Sequence, residues 1–247
     1  MKSLIVLFLL SGLCTTSVIA KDIAEYKQDR LIAKILHQQV KRHVSIKNSV
    51  SSILTRFPEK VDSVLKIALK KYPTEYRQIM IGAMNAEPVL ACNVIEVVLK
   101  ANVASDEEII AIAVEAEPAY AQEIVNIAIL NSPADIENIV RVAIETDPFV
   151  SDAVVNNTMS SFPEKIYAIL SGAIQALPEQ VSSFVKSTIN LFPGSSEDVV
   201  TKAVTSSKPK HAQQIVASAV QAGLDQESAI NAAVAGGAKR EQLAKVD

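Results

Sequence analysis

The 247-residue sequence has no tryptophan, seven glycines, three histidines and two cysteines, and aromatic residues make up only 4% of it. Each scarcity closes off a class of chemistry. Glycine this sparse, never grouped as G-x-G-x-x-G or G-x-x-x-x-G-K, leaves no backbone cradle for a phosphate. His37 and His43 stand six residues apart, off a common helix face, and His211 is far along the chain. No imidazole set therefore has metal-ligand spacing. A G-x-S-x-G elbow and a paired-cysteine motif are also missing. The basic residues are not interleaved with stacking aromatics, which argues against nucleic acid as a partner. No cofactor is expected.

Proline is organised. Prolines at 58, 73, 88, 118, 133, 148, 163, 178 and 193 keep a spacing of fifteen, Val103 stands where one is missing, and Pro209 comes one residue late. Between them the blocks PAYAQEIVNIAILNS (118–132) and PADIENIVRVAIETD (133–147) match in their apolar places. Counting each block from its proline, places 4, 7, 8, 11 and 12 are apolar, which is one stripe of an α-helix and cannot be one face of a strand. Ile46, Val50, Ile53 and Leu54 already follow this pattern in a block that starts at His43. A proline at the first turn loses no hydrogen bond there, and it pushes the residue before it out of the helical region. The same residue therefore ends one helix and starts the next. Ser132 and Asp147 stand where an N-cap is wanted, and in the block without proline Ser105, just before Asp106, can cap a helix that starts two residues late.

Helices this short are marginal alone. They must run roughly antiparallel and bury their stripes on their neighbours, which predicts an all-α solenoid of about twelve short helices. Place 11 is small nearly throughout (Ala68, Ala83, Ala113, Ala128, Ala143, Ala173, Ala203), as expected where backbones approach. The general look resembles helical-hairpin solenoids such as the tetratricopeptide and HEAT families, but the fifteen-residue period and the absence of their signature residues set it apart.

Four segments are expected. Residues 1–20 read as a secretory signal peptide: Lys2, an apolar run Leu4 to Leu10, and a small residue at Ala20. Cys14 is preceded by Leu13, which disfavours a lipid-anchor reading, and no later run is long enough to span a membrane. Residues 21–42 form an N-terminal helix, with Ile23, Tyr26, Leu31, Ile35 and Leu36 as its apolar positions. Residues 43–235 are the repeat domain, and 236–247 a polar tail or frayed cap after the break at Gly236-Gly237. Once the leader is removed Cys92 is the only cysteine, so no disulfide forms within a molecule.

The net charge of −3 hides an asymmetry: residues 21–77 carry +7, residues 78–150 carry −10, and the rest is nearly neutral. Lys27, Arg30, Lys34, Lys41 and Arg42 on the first helix are the candidate partner-binding residues, suited to a protein or an anionic polymer. Self-association between the basic and acidic parts is a further expectation. The function expected is that of an exported, non-enzymatic helical-repeat protein acting as a binding or scaffold module in the cell envelope or extracellular matrix. The alternative is an enzyme or enzyme subunit with an acidic site assembled across repeats; Glu107, Glu108, Glu115 and Glu117 on or near a polar face read as solvated, and Asp106 at the usually apolar place 4 as the start of a shifted helix.

Overall fold

The computed structural model describes residues 13–243, with side-chain surroundings from Tyr26 onward. The leader's charged start and apolar run, the side chain of Ile23, and the last four residues of the expected tail lie outside the described residues. Among the described residues there is no strand and there are fifteen α-helices. They are α1 (Leu13–Lys41), α2 (Ile46–Arg56), α3 (Val61–Lys71), α4 (Tyr76–Ala86), α5 (Ala91–Ala101), α6 (Asp106–Ala116), α7 (Ala121–Asn131) and α8 (Ile136–Thr146). The chain continues with α9 (Ser151–Ser161), α10 (Ile166–Ala176), α11 (Val181–Leu191), α12 (Ser196–Ser206), α13 (Ala212–Gln221), α14 (Gln226–Ala235) and α15 (Arg240–Leu243).

The period of fifteen has a local cause. In every proline-led block but that at Pro133, the proline opens a three-residue 3-10 turn such as Pro58–Lys60, an α-helix of ten or eleven residues follows, and a non-helical residue closes the block. That last residue, Tyr72 for example, has φ −131 and ψ 59, outside the helical region as the following proline demands. Its backbone still holds both helices. Tyr72 N–H donates to the Ala68 carbonyl at 2.8 Å, and its own carbonyl accepts from Glu75 N–H at 3.0 Å.

Where proline is missing, the junction changes. Asn102 takes the left-handed conformation (φ 50, ψ 42), which asparagine tolerates better than most residues, and ends α5. Ser105 then caps α6 by accepting from Glu108 N–H at 3.3 Å. Asp147 Oδ1 accepts from Phe149 N–H at 3.0 Å, as a cap should. Ser132 does not cap: its hydroxyl is turned to Asp106 on α6, because the aspartate at place 4 brings a carboxylate within reach.

Successive helices touch, and so do helices two apart. The solenoid thus has two layers, even-numbered helices in one and odd-numbered in the other. Between them lie the apolar stripes, with Val64, Leu65, Ile79, Val94, Ile109, Ile124, Val140 and Leu170 fully buried. The place-11 column is buried from Ala68 to Ala219. Close backbone approach also occurs one residue earlier, at two positions in the even-numbered layer. A Cβ on Gly82 of α4 would run into the Lys47 carbonyl of α2, and one on Gly172 of α10 into the Glu137 carbonyl of α8. Glycine at place 10 lets each of these helices rest directly on the backbone of its predecessor in the layer.

The first helix differs from expectation. Ile32 and Leu36 are its core contacts, with Ile35 and Val40 beside them, whereas Tyr26 and Leu31 are mostly exposed. At the other end the chain turns at Gly236-Gly237 and adds α15, whose Leu243 is fully buried. The described part of the segment 236–247 folds back on the solenoid, contacting α13 and α14.

Candidate functional site

On α1, Lys27, Arg30, Lys34 and Lys41 fall at spacings of three, four and seven and share one face, and all are exposed. Arg42, just past the helix end, is exposed as well. Among the described side chains none of the five is in an ion pair, and the Arg30 guanidinium sits 5.9 Å from the centre of the Tyr26 ring. Displaced by one residue around the helix runs a second stripe of Gln28, Leu31, Ile35 and Gln39. This stripe forms one wall of a groove of about 190 Å³.

The opposite wall comes from α2 and its exit: Ser52, Ile53, Arg56, Phe57 and Lys60. Lys60 Nζ bridges the groove by donating to Gln28 Oε1 at 2.8 Å. Leu31 is 57% and Phe57 50% exposed, so the groove offers apolar surface under a basic rim. Its origin is geometric. Ser52 occupies place 10, the same place by which Gly82 and Gly172 rest on the preceding helix of their layer. For α2 no such helix is present among the described residues, and the seat it would fill is the groove. Sequence reasoning found the basic stripe of α1 but missed Arg56, Phe57 and Lys60, whose only signal was their position at the exit of the first block.

The proposed acidic alternative fares differently. Glu108 accepts the phenolic hydrogen bond of Tyr76, Glu115 pairs with Arg77 at 2.7 Å, and Asp106 accepts from Ser132. Glu107 accepts from Asn138 and lies 4.0 Å from Arg141. Each joins one helix to a neighbour two away or to the turn beyond it, so these carboxylates are struts between repeats rather than a converging set. Hydrogen bonding to Glu108 holds the Tyr76 phenol above its usual range, and burial raises the Glu117 carboxyl above the ordinary carboxylate range. Burial likewise raises the Cys92 thiol, which disfavours a reactive thiolate.

The even-to-odd turns line up along one edge of the solenoid. From the groove at Phe57 onward, this edge carries Glu87, Glu117 and Asp147 just before their prolines. Just after them come Val89, Ala119 and Phe149, and Phe149 is 98% exposed. Further on, Glu179 accepts from Lys210 at 2.8 Å, and this lysine holds the carboxyl below its ordinary range. None of the described helices is long and apolar enough to cross a membrane. Compared with known protein families, characterised proteins and solved structures, the chain shows no significant match to any.

Proposed function

We propose that the protein is exported and acts without catalysis as a binding or scaffold module of the cell envelope or extracellular matrix, taking a protein or anionic polymer partner at its basic first end. The observation that carries this reading is the groove between α1 and α2, apolar in its walls, rimmed by Arg56 and Lys60, and flanked by Lys27, Arg30 and Lys34. Surfaces that recognise partners combine an apolar centre with a charged rim, and the charge sets selectivity and encounter rate. The export part rests on the leader-like residues 1–20 alone. An acidic active site is the weaker reading, because the carboxylates it would need are engaged with Tyr76, Arg77, Asn138 and Ser132.

Two measurements test the proposal. Intact mass of the protein recovered from outside the cytoplasm should give a chain beginning at Lys21, and retention of Met1 would count against export. A photo-reactive amino acid at Leu31, in the full chain expressed in its own cell, should cross-link a partner. Reversal of Lys27, Arg30 and Lys34 to glutamate should abolish that product.

A further inference from the structure

The edge that begins at the groove also carries the feature best suited to fill it. Phe149 stands almost wholly in solvent on the 3-10 turn Pro148–Val150, with Asp147 immediately before it. An aromatic ring this exposed contributes nothing to its own fold, and the backbone that carries it is held because the Asp147 carboxylate accepts from Phe149 N–H. The groove has the opposite character in every respect. It is concave where the turn projects, lined by Leu31, Ile35, Ile53 and Phe57, and rimmed by Arg56 and Lys60 where the turn carries a carboxylate.

We infer that the Phe149 turn of one copy of this chain docks in the α1/α2 groove of another, with Asp147 meeting Arg56 and Lys60. This rests on the reading of the groove as a partner site and names the partner as a second copy. The wider charge distribution favours it: the groove belongs to the segment carrying +7 and the turn to the segment carrying −10. The far end of the solenoid is a poorer occupant, being nearly neutral and closed by α15. The seat accommodates a helical turn, and Pro148–Val150 is one, already formed and leading into α9. Pre-ordering of this kind lowers the entropic cost of docking. Because knob and groove are separate patches, a copy that receives can also donate, so association either closes on itself or continues.

Sedimentation across a concentration series decides. The purified protein should rise in mean mass with concentration at low salt and return to single copies as salt increases, because exposed charges are screened within about 8 Å at physiological ionic strength. Phe149→Ala touches no buried contact and should weaken self-association at least tenfold while leaving the circular dichroism and thermal midpoint unchanged. Leu31→Glu, at a position more than half exposed, should do the same. Mixed together, these two variants should form a one-to-one pair, since the first retains a groove and the second a knob.

A single-copy protein at every concentration and salt, or Phe149→Ala associating like the unaltered chain, would overturn the inference. The photo-reactive Leu31 variant separates this failure from that of the broader reading. A cross-link to a different protein, or within the molecule to its own leader, overturns the second copy as partner. In the first case the groove still stands as a binding site, and with no cross-link of any kind both readings fall.

Discussion

The two ends of the solenoid solve the same problem in opposite ways. Every internal helix is covered on both sides by its layer, and the terminal ones cannot be. At the last end the chain switches to small residues, Ala229, Ala232 and Ala233 on α14, turns at Gly237 with φ 102, and lays Leu243 of α15 over the exposed side. At the first end α1 runs on for 29 residues, yet it leaves Leu31 and Phe57 half in water. Among the described residues, one end is sealed by the four residues of α15, and the other has an unfilled seat. The proposed docking would use the apolar and basic surface that this difference leaves exposed.

The sharpest way to break this comparison is to truncate one apolar side chain at each end. Leu243→Ala should cost about 3 kcal/mol, since it empties a fully buried position, whereas Leu31→Ala should stay within about 0.5 kcal/mol. Urea denaturation of both variants measures the difference, and equal losses would mean that the first end is as closed as the last.

Next in size is a change in the middle, where neither end should feel it first. Ala143 is fully buried at place 11 of α8, and Ala143→Leu should cost about 2 kcal/mol by overpacking. Glu145→Leu, on the exposed side and paired only with Arg141, should move stability by no more than about 0.5 kcal/mol. Hydrogen exchange should show lost protection beginning in α6, α8 and α10, then reaching the open end before the sealed one. Uniform loss along the chain would contradict the layered packing.

The smallest effect concerns the acidic edge between the two ends. Burial raises Glu117, so the folded protein holds its proton more tightly than the unfolded chain does. Stability therefore falls as pH rises through the window just above the ordinary carboxylate range. Glu117→Gln should remove that loss, giving a variant slightly more stable than the parent at neutral pH and indistinguishable from it well below the carboxylate range. Thermal midpoints at the two pH values provide the check, and a variant less stable at neutral pH would assign Glu117 a favourable partner instead.

The helix positions and the buried column at place 11 were legible in the sequence because a repeat averages out the noise of any single block. What the repeat could not reveal is what differs between alternate blocks. Both layers bury the same five places, so the division into layers left only faint traces, such as glycine at place 10 of α4 and α10. The first helix has no second copy to align with. Its two apolar stripes, Ile32-Leu36 facing the core and Leu31-Ile35 facing the groove, overlap in the pattern and look there like a single face. The groove itself depends on which neighbour α2 lacks, and that is a property of the assembled layers rather than of any local stretch.

Alternation between layers also governs how such a chain can lengthen or shorten. Loss of residues 118–147 would remove one helix from each layer and let every later helix keep its side. Loss of residues 118–132 alone would carry everything after it across to the opposite side. Phe149 would then project from the other edge, away from the groove at Phe57, although Gly172 would keep the Glu137 carbonyl because α8 and α10 cross together. The written repeat is fifteen residues, but the heritable unit, the smallest piece that duplication can add without moving every later helix to the wrong layer, is thirty.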